Sequence, residues 1–185
     1  MIHYYFGNKE KLYRDILKEA VRAVRSVIEG AARGAESSDE RIRRFVDAYA
    51  RFVFSHANLV MMLNRELLSG GKRLKSLAER HGLRTNYEML RSIIARGVRR
   101  GELRPVDLDL APVSLIAMIL MFQIGQPLIS TTLGAGQYNE RFVKRLAVHT
   151  AGLFLEGATA RKPKRPSTQR PSSELRRTAK KTGSR

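Results

Sequence analysis

Apolar residues return every third or fourth position along most of this chain, and strict alternation is not seen. That period matches the 3.6-residue turn of an α-helix and predicts helices through the first 160 residues. Asn8 is placed to cap a first helix from Lys9 to about Ala32, with Leu12, Ile16, Ala20, Val24 and Ile28 on one stripe. Ser37, followed three residues later by Glu40, forms a capping box. It opens a second helix carrying Ile42, Phe45, Val46, Tyr49, Phe52 and Val53, which ends near His56. Asn58 starts a short third helix closed by Gly70 and Gly71. A long fourth helix is expected from about Lys72 to Arg100, with a bend at Gly82 and a stop at Gly101. Asp107 or Asp109 caps a fifth helix that tolerates Pro112 in its first turn. The run "TTLGAGQ" reads as a loop, and a sixth helix spans about Tyr138 to Ala160. The fold class is all-α, a helical bundle.

The fifth helix changes the picture most. No charge occurs from Leu110 to Asn139, and Val113 to Ile124 is nearly all apolar. A membrane span needs about 20 such residues, so no membrane partner is expected. A helix apolar all round is instead buried on all sides, by its own fold or by a partner subunit. Pro127 should kink or end it.

Charge divides the chain. Its 185 residues carry a net +18, and the ten Lys and Arg after Ala160 face a single acid, Glu174. Residues 161–185 are rich in Pro, Ser, Thr and charge, with Leu175 as the one large apolar residue. Such a segment buries too little to offset its ordering entropy and reads as a disordered basic tail. The overall charge favours polyanionic partners, nucleic acid first. There is no Cys, which excludes disulfides, thiolate zinc sites and thiol catalysis. His3, His56, His81 and His149 are far apart and lack ligand-spaced partners. With no nucleophile, metal or phosphate-cradling motif, neither an enzyme nor a metal or cofactor site is expected.

The opening "IHYYFGNK" has the form of a last helical turn, a Gly turn and the N-cap of the next helix. Lys9 stands at a helix N-terminus, where free N–H groups favour an anion. His3, Tyr4 and Tyr5 add donors beside it, a cluster suited to DNA phosphates and not to bases. This stretch resembles the junction motif of the TetR family of bacterial transcriptional regulators, "(L/I)-Y-x-H-F-x-(S/N)-K-x-x-L". It agrees at Ile2, Phe6, Asn8, Lys9 and Leu12 and departs at His3 and Tyr5. The run "RELLSGGKRL" and the later "RRGELRPVDLDLA" are similar to one group of these regulators.

The resemblance covers about residues 1–160. By it, residues 1–8 would end an incomplete helix-turn-helix and 9–160 would form a helical ligand-binding and dimerisation domain; the tail, 161–185, lies outside it. A complete reader would need two helices and most of a recognition helix ahead of Ile2. A mis-assigned start or a truncated fragment is the expected reason for their absence from the sequence. By the same resemblance the protein would be a cytoplasmic, ligand-responsive repressor of the TetR type. Its partners would be double-stranded operator DNA, a small hydrophobic effector and a second copy paired through the fifth and sixth helices. His3, Tyr4, Tyr5 and Lys9 would touch DNA phosphates. Met62, Arg65, Tyr87, Met118, Phe122 and Gln126 are the candidate effector contacts, although the methionines equally suit plain gap-filling. The alternative is a dimeric sensing or titrating module that binds no operator by itself.

Overall fold

The computed structural model describes residues 9–71, 74–75, 82–133 and 139–158. Its helices are α1 (Lys9–Ala32), α2 (Ser38–Ser55), α3 (Ala57–Leu68), α4 (Leu83–Arg99), α5 (Leu110–Ile124), α6 (Gln126–Leu133) and α7 (Glu140–Ala158). No strand occurs among the described residues. The chain is an all-α bundle, as its periodicity predicts.

The central element is α2, which touches α1, α3, α4, α5 and α7. Its start is fixed locally: Ser37 Oγ accepts the Glu40 N–H at 3.1 Å, and the Glu40 carboxylate accepts the Glu36 N–H at 3.0 Å. Acids at Asp39 and Glu40 suit the positive end of the helix dipole. From there Ile42, Phe45, Val46, Tyr49, Ala50 and Val53 all point into the core. Phe45 and Tyr49 stack with ring centroids 5.3 Å apart. Around them pack Ile28 of α1, Leu90, Ile93 and Ile94 of α4, Leu115 and Ile119 of α5, and Val143, Ala147 and Ala151 of α7.

The corner after α4 clasps the start of α2. Gly101 turns the chain at φ 70°, and Glu102 and Leu103 both donate back to the Gly97 carbonyl, at 2.9 and 3.1 Å. Gly97 is required by close approach, since a Cβ there would lie 2.8 Å from the Ser38 Cβ and 2.7 Å from Leu103 Cδ1. The Glu102 carboxylate accepts the Ser38 N–H at 2.6 Å.

Two boundaries differ from the sequence expectation. The fourth helix does not bend at Gly82 but starts after it, because Gly82 is left-handed at φ 83° and occupies the N-cap. The loop expected at "TTLGAGQ" begins later, since Thr131 to Leu133 complete α6. Of the two capping candidates for α5, Asp107 takes the role: its Oδ1 accepts the N–H of Asp109 and of Leu110, at 2.8 and 3.0 Å. The break before Pro127 is sharp, with α5 and α6 bent by 74°. Among the described residues, no single helix is long and apolar enough to cross a membrane.

The apolar fifth helix buries one stripe, Ala111, Pro112, Leu115, Ile119 and Gln123. Its other side leaves Leu110, Val113 and Met121 exposed, and Val148 and Leu153 of α7 are exposed as well.

Candidate functional site

A groove of about 440 Å³ separates the first half of α1 from α3. Its wall on α1 is Tyr13; its wall on α3 is Asn58, Met61, Met62, Arg65 and Glu66, with Ser69 at the end. Each wall follows from helical spacing. Asn58, Met61, Met62, Arg65, Glu66 and Ser69 recur at three- and four-residue steps, so they share one face. The Tyr13 hydroxyl is buried. The Arg65 guanidinium forms no ion pair among the described residues. The groove therefore combines two thioethers, an aromatic ring, the Arg65 guanidinium and the Glu66 carboxylate, a surface suited to a small amphipathic ligand.

Two of the six expected effector contacts, Met62 and Arg65, meet in this groove. The other four lie elsewhere. Tyr87 donates its hydroxyl to the Asp109 carbonyl at 3.0 Å, and Arg91 pairs with the Asp109 carboxylate at 3.1 Å, so these residues tie α4 to the start of α5. Desolvation, followed by the nearby Asp109 charge, raises the Tyr87 pKa. Phe122 packs 6.5 Å from Phe142 of α7, which in turn lies 6.1 Å from Phe54 of α2. Met118 and Gln126 are half-buried on α5 and at the start of α6. Helical spacing gives each residue a face, but the bend at Gly125 and the crossing of α5 over α2 decide which faces meet.

A larger groove of about 830 Å³ runs along α1 and α2. Its arginines Arg22, Arg44 and Arg51 are already paired with Glu19, Glu40 and Asp47 on their own helices. It offers a ligand far less than the α1–α3 groove does.

Of the expected DNA contacts, His3, Tyr4 and Tyr5 lie outside the described residues, and Lys9 is described by its backbone alone, as the first residue of α1. The tail, residues 161–185, also lies outside them.

Asn86 is a residue that sequence reading overlooked. It is 3% exposed, and its side chain bridges to two residues of α1: Nδ2 donates to the Val21 carbonyl at 2.8 Å, and Oδ1 accepts from Arg25 Nε at 3.3 Å. A signal was present. Asn86 stands four residues before Leu90 and eight before Ile94, a polar residue set into the apolar stripe.

Comparison with known proteins agrees with this architecture. Residues 35–121 match the model of the tetracyclin repressor-like C-terminal domain. Among solved structures, the chain is similar to the TetR family transcriptional regulator PfmR from Thermus thermophilus, at 24% identity and a TM-score of 0.63, covering 87% of this chain and 81% of that one. It is similar to a tetR-family regulatory protein from Rhodococcus RHA1, at 16% identity and a TM-score of 0.67, covering 87% and 80%. It is also similar to the ketosteroid transcriptional regulator KstR2 of Mycobacterium tuberculosis, at 16% identity and a TM-score of 0.62, covering 86% and 78%. At these identities the structural likeness establishes the fold. No curated protein matches the chain. Residues 35–121 thus carry a tetracyclin repressor-like C-terminal domain, and the chain as a whole has the fold of these TetR-family regulators.

Proposed function

We propose that this protein is a ligand-responsive repressor in which a small molecule seated between α1 and α3 releases operator DNA. The observation that carries the reading is the α1–α3 groove, because its occupant would touch Tyr13 on the same helix that begins at Lys9. His3, Tyr4, Tyr5 and Lys9 would hold DNA phosphates at the start of α1, with residues 1–8 acting as the end of the DNA-reading unit. Residues 9–160 would form the ligand-binding and dimerisation unit of a cytoplasmic protein. The ligand is an amphipathic carboxylate: its head pairs with Arg65 and its chain lies along Met61 and Met62. Ligand and operator need be coupled by only about 1–3 kcal/mol. The exposed Leu110, Val113 and Met121 of α5 and Val148 and Leu153 of α7 support a homodimer through these two helices.

The test uses the full chain with decanoate as the ligand probe and a random duplex DNA library. Selection should enrich a site with two related halves, decanoate should lower its retention, and Arg65→Ala should abolish the decanoate effect. Failure of decanoate to bind, or binding that Arg65→Ala leaves unchanged, overturns the ligand assignment. Ligand binding with no enriched DNA site favours the second reading, a dimeric sensing module that binds no operator by itself.

A further inference from the structure

The first turn of α4 is shaped around α1. A buried asparagine is costly unless both halves of its amide are satisfied. Asn86 meets that demand entirely on α1, donating to the Val21 carbonyl and accepting from Arg25. Gly82 completes the arrangement. Its left-handed conformation starts α4, and a Cβ at that position would run into the Arg25 guanidinium. Three features, at Gly82, Asn86 and Arg25, thus converge on one polar contact between the two helices.

The contact sits at a division along α1. On its C-terminal side Ile28 and Ala31 belong to the central core, with Val24 and Val27 packed against it. On its N-terminal side Leu17 and Ala20 are buried, but outside that core. Apolar packing is non-directional and tolerates sliding, whereas a two-point hydrogen bond fixes both rotation and axial position.

We infer that Asn86, gripped by Val21 and Arg25, is a positioning residue that clamps α1. It holds the N-terminal arm, residues 9–20, in register with α4. Tyr13 lies about 12 Å along the helix from Val21, so a ligand in the groove acts on the arm well away from its clamp. This last step rests on the ligand reading proposed above; the clamp itself does not.

Amide hydrogen exchange on the full chain, without ligand or DNA, tests the clamp. Asn86→Ala and Arg25→Ala should each speed exchange of the amides of residues 12–24 about tenfold and leave those of α2 and α7 within about twofold. The double variant should exchange no faster than Asn86→Ala, because both changes break one unit. Asn86→Asp keeps an acceptor for Arg25 and should restore part of the protection. Equal acceleration in every helix would mean that Asn86 only stabilises the fold, and the inference would fail. It would also fail if α1 were unaffected or if the two single effects multiplied. Arg25→Ala removes only a half-buried side chain, so it decides the matter even if Asn86→Ala does not fold. Adding decanoate separates the two proposals. Slowed exchange around Tyr13 in the wild type supports both, and its absence alongside an intact clamp pattern removes the ligand reading alone.

Discussion

Two neighbouring helices, α2 and α3, are joined at His56 and yet have opposite fates. The more polar one is the core. α2 carries seven charges in 18 residues and buries Ser38, Ile42, Phe45, Val46, Tyr49, Ala50 and Val53. α3 carries two charges in 12 residues and buries only Val60. Its Leu67 and Leu68 are 62% and 80% exposed. Apolar content therefore does not decide burial. In α2 the apolar residues recur on one stripe, so one face enters the core, while Arg43, Arg44 and Arg51 stay at the surface. In α3 the run "LVMML" wraps around the helix, and no single neighbour can cover it. The exposed remainder becomes the wall of a groove. One helix is scaffold and the other lines a groove.

The sharpest challenge to this contrast is a pair of truncations. Phe45→Ala in α2 should cost about 3–5 kcal/mol in a denaturant titration, while Met62→Ala in α3 should cost less than about 1.5 kcal/mol. Equal costs would break the distinction between scaffold and wall. The next effect concerns how α2 is anchored. Gly97→Ala would drive a methyl group into Ser38 and Leu103 and should destabilise by about 1–3 kcal/mol, measured by the shift of the unfolding midpoint.

A smaller effect comes from Glu102. The Ser38 N–H, aided by Arg100, holds its carboxyl pKa below the usual carboxylate value. A depressed folded-state pKa stabilises the protein above the unfolded value of about 4.3. That contribution is lost as pH falls through the lower, folded value. The stability difference between wild type and Glu102→Gln should accordingly be constant near neutral pH and shrink below about pH 4. A difference independent of pH would show that the carboxylate charge does not anchor α2. The smallest effect belongs to Arg65→Ala, which should change stability by no more than about 0.5 kcal/mol. A larger loss would make Arg65 part of the scaffold and not of the groove.

The tail offers a separate measurement. Deleting residues 161–185 should flatten the salt dependence of DNA binding, since each phosphate that the tail neutralises steepens the slope of log K against log salt by about 0.9. An unchanged slope would show that the tail does not touch DNA.

Much was legible in the sequence because it was local. Apolar period, the Ser37–Glu40 box, the glycine stops and Pro127 act within a turn or two of chain, and they specified the helices and the all-α class. The boundary at Gly82 differs for a physical reason: a glycine inside a helical pattern is compatible with either a bend or a start, and here its left-handed φ makes it a start, while its missing Cβ leaves room for Arg25, 57 positions earlier. The loop at Thr131 was misjudged because polar threonines can still continue a helix, returning their hydroxyls to the carbonyls of Pro127 and Leu128.

The sequence by itself determined which segments are helical, which face of α2 is apolar and where charge accumulates, since these depend on neighbours three or four residues away. Only the tertiary structure decided that Met62 and Arg65 face Tyr13 across a groove, while Tyr87 and Phe122 are engaged elsewhere. It alone decided that Asn86 finds both of its partners on α1. Those outcomes depend on how helices separated by dozens of residues cross and bend, and helical spacing carries no record of that.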